Sequence, residues 1–414
     1  MAHKWQILFA ILIIACILGS CQAEEDESPP AEVPLFEEPM YDEPVLIGNA
    51  KVAAYIRTWG IPAADRIGGS PYWNADMIQG ESLSDLIIAF ALIDPADGAS
   101  IYIPEVRSGA FARIWDEVAI LKERHPHLKV HISVGGYGAE GFSDMAHNPA
   151  LRAAFTANVC KWLEDYNLDG IDIDWEYPVG PTWGQNIKSR PEDRQNYITL
   201  LSDLRNAMDD LGEKTGKRYN LSTAVPASAW FISANDVKAA AETADMLKIM
   251  SYDYYGSWSQ RTGHNANIYR NPRDPANWST DQSVAAYLRA GIPPEKLILG
   301  AAFYGQMWRG IPQGNSSDTP GLYQSRTAFV NSIGWSQIKR TIANTGSGYE
   351  RYWDATAKAP FLYNGDRWLS YTDHEQLREL AAYVKEKNLG GVFVWEYAHD
   401  MGADLLRTLT QSSQ

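Results

Sequence analysis

Cysteine is scarce in this chain. There are three, and Cys16 and Cys21 both precede residue 22, which leaves Cys160 alone in the body of the sequence. One thiol cannot make an internal disulfide framework. Cys160 also falls in an amphipathic stretch with Phe155, Val159, Trp162, Leu163 and Tyr166, so it reads as a packed, inert group. Metal-ligand spacing is missing too, because the eight histidines form no HExxH or related pattern. The expectation is a protein with no metal and no cofactor. Positive charge is in short supply, with 36 Lys and Arg against 51 Asp and Glu. Nine acids and no base lie between residues 22 and 50, and the remainder still carries a net charge of about −7. A nucleic-acid binder needs a basic stripe, so that class is excluded. The longest apolar run, Trp5 to Leu18, is too short to cross a bilayer comfortably.

That run follows His3 and Lys4 and suits the core of a signal peptide. It ends in Leu18-Gly19-Ser20-Cys21, which resembles the bacterial lipobox, where a leader is cut before a cysteine that becomes lipidated. Residues 1–20 are therefore expected to be a lipoprotein leader and Cys21 the lipidated residue. Residues 21–50 hold five prolines among the nine acids, a composition for an extended, self-repelling tether. Gln22-Ala23-Glu24-Glu25 also resembles acidic tracts that send some lipoproteins to the outer surface. The expected location is a membrane-anchored, exported protein, and the expected state is a monomer.

What the chain has in quantity is aromatic surface, 15 Trp and 22 Tyr, of the kind on which sugar rings stack as well as cores pack. From residue 51 onward short β-rich runs alternate with longer helical patterns, the order expected for parallel strands joined by helices. Eight strands are predicted, at Val52 to Thr58, Leu86 to Leu92, Val130 to Val134, Gly170 to Trp175, Leu221 to Val225, Leu247 to Tyr252, Leu297 to Phe303 and Gly391 to Trp395. Amphipathic stretches lie between them, around 110–122, 149–166, 192–211, 235–244, 280–290 and 374–387. Eight such units point to an α/β fold, a (β/α)8 TIM barrel over residues 51–410. The rhythm breaks at residues 309–370, where a run rich in Tyr and Trp predicts a small inserted subdomain between strands 7 and 8.

The most informative segment is Asp169-Gly170-Ile171-Asp172-Ile173-Asp174-Trp175-Glu176-Tyr177-Pro178. Side chains alternate along a strand, so Asp172, Asp174 and Glu176 share one face while Ile171, Ile173 and Trp175 share the other. In a barrel the acidic face lines the interior. Crowded acids in a low-dielectric setting cannot all stay ionised at neutral pH, so at least one holds its proton, as a general acid requires. Glu176 stands nearest the C-terminal end, where barrel active sites sit.

This segment resembles the DxxDxDxE signature of the family 18 glycoside hydrolases, the chitinases. His131 to Gly136 resembles the family's SxGG strand, Met250-Ser251-Tyr252-Asp253 its MxYD strand, and Gly390 to Glu396 its final strand with a sugar-platform tryptophan. Gly300 to Gln306 resembles a family segment that commonly ends Tyr-Gly-Arg; here Gln306 stands at the arginine. The resemblance covers residues 51 to about 408, and it implies that the subdomain between strands 7 and 8 is a small α+β insertion. It also implies a retaining, substrate-assisted chitinase acting on β-1,4-linked N-acetylglucosamine polymers. In it Glu176 is the acid, Asp174 supports the acetamido group, Asp172 shares a proton with Asp174, and Tyr252 holds the acetamido oxygen. Asp253, Trp395, Tyr304, Trp59 and Phe90 are implied as substrate contacts, with Trp395 the floor. Tyr55 and Ser133 are implied to hydrogen-bond toward Asp172, and Asp169 to stabilise the start of its strand. Trp183, Trp230, Trp258, Trp308 and Trp353 are further candidates for cleft aromatics. Two enzymatic alternatives are hydrolysis of peptidoglycan and of the chitobiose core of glycoproteins; a third is a sugar-binding lectin, which typically lacks the acid that Glu176 supplies.

Overall fold

The structure is a computed structural model, and it describes residues 50–181 and 187–410. The expectations for residues 1–20, Cys21, the tether up to residue 49 and Trp183 fall outside the described residues.

Fourteen strands are present among them: β1 (Lys51–Arg57), β2 (Asp85–Ile93), β3 (Ile101–Tyr102), β4 (Lys129–Gly135), β5 (Gly170–Asp174), β6 (Asn220–Pro226), β7 (Met246–Met250), β8 (Leu297–Ala302), β9 (Tyr304–Arg309), β10 (Ala328–Gly334), β11 (Glu350–Asp354), β12 (Ala359–Tyr363), β13 (Trp368–Ser370) and β14 (Gly391–Trp395). Eight of them close a parallel ring in the order β1, β2, β4, β5, β6, β7, β8, β14, because β1 pairs with both β2 and β14. That is a (β/α)8 barrel. β3 adds a short antiparallel pairing to β2.

The barrel strands are near-continuous aliphatic runs because both of their faces are covered. Ile171 and Ile173 face the helices and are fully buried, whereas Ala53, Tyr55, Ile87 and Phe393 form a separate cluster in the lumen. The helices start and stop where side-chain chemistry tells them to. Asn148 caps Pro149–Asp165, and Ser279 and Asp373 cap Thr280–Arg289 and His374–Glu386 by accepting bonds from first-turn amides. Asp193–Thr215 ends at Gly216, whose φ of 71° closes the helix.

Four predicted strands run one or two residues too far. β5 stops at Asp174, β7 at Met250, β8 at Ala302 and β1 at Arg57. The ladder explains the first: β4 pairs with β5 only as far as Gly135 opposite Asp174, and β4 then turns away at Gly135 and Gly136, with φ of 123° and 95°. Glu176 and Tyr252 accordingly sit on the loops just beyond the strand ends.

Between β8 and β14 lies a five-stranded antiparallel sheet in the order β10, β9, β13, β12, β11, with the helix Trp335–Ala343 following β10. Trp308, Phe361, Tyr363 and Trp368 are buried in its own core. Trp308, a candidate cleft aromatic by sequence, is fully buried against Phe329 and Trp368, so it packs this sheet instead of facing solvent. Trp353 lies on β11 with Arg351 over its ring. Among the described residues no helix is long and apolar enough to cross a membrane.

Candidate active site

Strand register brings the polar groups together. β5 sets Asp172 beside Ser133 of β4 on one side and Ser222 of β6 on the other. Tyr55 reaches across the lumen from β1, and Lys248 from β7. Asp172 Oδ2 accepts from Tyr55 Oη at 2.7 Å and Ser133 Oγ at 2.8 Å; Oδ1 accepts from Ser222 Oγ at 2.7 Å and Lys248 Nζ at 2.8 Å. Burial works to raise its proton affinity, but the Lys248 charge and these hydrogen bonds outweigh it and hold Asp172 below the usual carboxylate range. Lys248 and Ser222 were not singled out in the sequence. A signal existed, since Lys248 shares the parity of Met250 and Tyr252 and so belongs to the inward face of its strand.

Asp174 is the opposite case. It is buried, its Oδ1 has no hydrogen-bond partner, and burial, Glu176 and Asp172 together push it well above its ordinary range. Its position is enforced by glycine. A Cβ on Gly135 would stand 2.0 Å from the Asp174 carbonyl oxygen, and the amide of Gly136 donates to that oxygen at 2.9 Å. Glu176, half-buried at the end of the row, is raised to about 7 by desolvation, with a hydrogen bond to Tyr177 working the other way and the Asp253 charge adding a smaller push. The acidic strand therefore runs from an ionised carboxylate at depth to two protonatable ones near the mouth.

Around the mouth stand the remaining candidates. Trp395 ends β14, with Tyr55 edge-on to it at 5.5 Å and Phe90 stacked at 5.7 Å; Trp59 stacks on Phe90 at 6.2 Å. The three rings make a continuous strip. Behind it, the buried pair Arg57 and Glu396 links the residue after Trp395 to β1, and Arg57 also lies 5.1 Å over Trp59. The peptides Ala89–Phe90, Glu176–Tyr177 and Trp395–Glu396 at this end are cis.

Tyr252 sits between Tyr304 and Phe393, and a Cβ on Gly300 would collide with its ring. Asp253 is exposed at the rim in a left-handed conformation, φ 58°. Its Oδ1 accepts from Tyr304 Oη at 2.6 Å and Gln306 Nε2 at 3.0 Å, and its amide donates to Asn265 Oδ1 at 3.1 Å. Gln306 in turn accepts from Ser332 Oγ at 2.7 Å. An uncharged amide thus performs the orienting bond at this position, without a guanidinium. His264, whose loop had no sequence-assigned role, bonds Asp354 at 3.0 Å and ties the loop after β7 to β11.

Not every candidate lies here. Asp169 is at the opposite end of β5, where its carboxylate takes the Val130 amide at 2.9 Å and pairs with Lys122 and Lys217. Trp258 is more than half exposed, and Trp230 packs edge-on against Tyr177 at 5.2 Å. Cys160 is partly buried in its helix, and burial pushes its thiol up. Among the described residues no cluster of His, Cys, Asp and Glu is arranged to hold a metal ion.

The family model of the glycosyl hydrolases family 18 matches residues 51–400. Chitinase A1 of Niallia circulans is 39% identical over 306 residues, covering 70% of this chain and 43% of that protein. Among solved structures, a family 18 N-acetylglucosaminidase from Paenibacillus barengoltzii aligns with a TM-score of 0.75 at 32% identity, over 87% of this chain and 99% of the other. Chitinase ChiW, a cell-surface-expressed multi-modular enzyme of Paenibacillus sp. str. FPU-7, aligns with a TM-score of 0.77 at 31% identity, over 87% of this chain and 32% of the other. The chain spans about half the length of the curated relatives it matches.

Proposed function

Because this chain belongs to family 18 of the glycosyl hydrolases, we propose that it is a chitinase, cutting β-1,4-linked N-acetylglucosamine chains with retention. The observation that carries this reading is the graded acidic row: Asp172 ionised at depth, Asp174 and Glu176 above it with raised proton affinity, all next to an aromatic strip. A protonated Asp174 is a poor nucleophile, so the nucleophile must come from elsewhere, and the family stands outside the two-carboxylate scheme because the substrate supplies it.

Glu176 gives its proton to the glycosidic oxygen as the C1–O bond breaks, and the acetamido oxygen of the same sugar forms a bond to C1. An oxazolinium ion results. As Glu176 gives up its proton, the hydrogen of Asp174 turns toward the new Glu176 carboxylate, so that Asp174 gains negative charge facing the acetamido nitrogen, where positive charge develops; Tyr252 donates to the acetamido oxygen, holding it in line. Water then attacks C1 from the open face and returns a proton to Glu176. Trp395 is the floor under this sugar, Phe90 and Trp59 extend the floor along the chain, and Asp253 with Tyr304 positions the sugar from the rim. The sheet of β9 to β13 is read as the α+β insertion that walls the cleft, supported by its place in the chain and its separate core.

The test is product analysis on N-acetylglucosamine oligomers by mass spectrometry with anomer-resolved chromatography. Release of β-anomeric oligomers is the expected result. Release of single sugars from one end only would favour the activity of the Paenibacillus barengoltzii relative, and no cleavage at all would leave a lectin.

Location is a separate proposal. Cys21 follows Leu18-Gly19-Ser20, and two acyl chains anchor stably where one would be marginal. The Pro and acid stretch through Ala50 would hold the enzyme off an anionic surface to meet an insoluble polymer. Cys21→Ser is expected to shift the protein out of the membrane fraction; an unmodified wild type found free in the medium would overturn the lipid anchor.

A further inference from the structure

Asp172 touches neither the mouth of the barrel nor the aromatic strip, yet it is the most heavily bonded carboxylate of the row. Its four acceptor positions are filled by Tyr55, Ser133, Ser222 and Lys248. Lys248 is 1% exposed and Asp172 0%. The lysine also donates to Ser222 Oγ at 2.6 Å, which turns that hydroxyl's own hydrogen toward Asp172, and its ammonium lies 5.3 Å over the Tyr55 ring. An ammonium offers no lone pair, so a proton on Asp172 Oδ1 would break the lysine's bond, and one on Oδ2 would remove the charge that makes it the strongest of the four.

We propose that Lys248 is a positioning residue that keeps Asp172 permanently ionised, so that the labile proton of the acidic row belongs to Asp174 and is directed at Glu176. This deepens the glycosidase reading and rests on it. Without the lysine, Asp172 and Asp174 would be two buried carboxylates two residues apart on one strand face. Such a pair shares one proton between equivalent seats. The lysine breaks the equivalence. Asp174 then carries a hydrogen with no partner below it, and once Glu176 has given up its own proton, the Glu176 carboxylate is the acceptor that hydrogen can reach. The unpartnered Asp174 Oδ1 is consistent with a group waiting for that partner.

The other titratable groups around the pair are Tyr55 from β1, Asp174 and Glu176 from β5 and its end, Tyr197 from the helix Asp193–Thr215, and Tyr252 beyond β7. The three tyrosines are all raised by burial and stay neutral. β4 and β6 contribute only the hydroxyls of Ser133 and Ser222. Lys248 is the cation of this set.

The test is the pH dependence of kcat/KM on a soluble N-acetylglucosamine oligomer for wild type, Lys248→Met and Lys248→Arg. Activity requires Asp172 as an anion and is lost as pH falls through its pKa. Removing the lysine raises that pKa, so the acid limb of Lys248→Met should move to higher pH by about one to three units. The alkaline limb, set by Glu176, should move less, and Lys248→Arg should restore the acid limb. A Met variant with both limbs unmoved and only a lower rate would overturn the proposal. Should that variant fail to fold, wild type decides the matter through carboxyl-labelled aspartate NMR without substrate: Asp172 should keep its ionised shift throughout the pH window in which Asp174 titrates. Titration of Asp172 in that window overturns the assignment of Lys248. Failure of wild type to cut any oligomer would instead overturn the chitinase reading and leave the NMR result to stand alone.

Discussion

Glu176→Gln is expected to lower turnover by about 10³-fold or more while the protein folds and binds chito-oligosaccharides as before. Loss of a positioned general acid typically costs two to four orders of magnitude, and the amide fills the same space without a proton to give. The environment of Glu176 gives a second, independent readout. Its proton is needed for the reaction, and desolvation raises its pKa from the ordinary glutamate value of 4.5 to about 7. The acid is then about half protonated at pH 7, where an unshifted glutamate would be protonated in well under ~1% of molecules. Wild-type activity should therefore fall as pH rises through about 7. The sign for stability is opposite: a folded-state carboxyl pKa above the unfolded value costs stability once pH exceeds the unfolded value. Glu176→Gln removes that cost, so its melting temperature at pH 8 should equal or exceed wild type. A variant retaining a tenth of wild-type turnover would remove Glu176 from the acid's role, and one melting well below wild type would show the residue to be structural.

Fully deacetylated chitosan oligomers should not be cut at all. The carboxyl next to the acid, Asp174, is buried with its proton affinity pushed well above the ordinary range by burial, Glu176 and Asp172, and Asp172 is occupied by four donors, so neither is a free nucleophile for C1. What remains is the acetamido oxygen that Tyr252 is proposed to hold. An amine cannot form the oxazolinium ring, and it would also bring a second positive charge beside the developing one. Chromatography of a fully deacetylated oligomer after long incubation should show it intact, alongside an acetylated control that is consumed. Clean hydrolysis of the deacetylated chain would end the substrate-assisted account.

The acidic row was legible because strand alternation is local: Ile171 and Ile173 against Asp172 and Asp174 fix the two faces from five residues of sequence. The eight strands of the barrel were legible for the same reason, as short aliphatic runs between helical periods. What escaped the sequence was whatever depends on register between distant strands. Lys248 reads as a lone charge in Met246 to Met250 until β6 and β7 align it across the lumen from Asp172. Gln306 reads as a lost arginine until Asp253, 53 residues away, is found on its amide nitrogen. Trp308 carries the composition of a cleft residue, and only the antiparallel partners of β9 reveal that both its faces are covered.

The closure of the ring by β1 has a bearing on when the site comes into being. Lys51 to Ala54 lie in register with Gly391 to Val394, so the two strands that meet here are separated by some 340 residues of chain. Tyr55 and Trp395, which pack edge to face, come from these opposite ends. A chain emerging in order can make the ladder from β1 through β8 and hold Asp172, Asp174 and Glu176 in sequence, yet it lacks Trp395, the proposed sugar floor, and has an open seam beside Tyr55. Bringing the seam together is the most entropically expensive contact of the fold. The last strand to appear supplies both the final wall and Trp395, so an unfinished or internally nicked barrel carries the acids without a seat for the sugar.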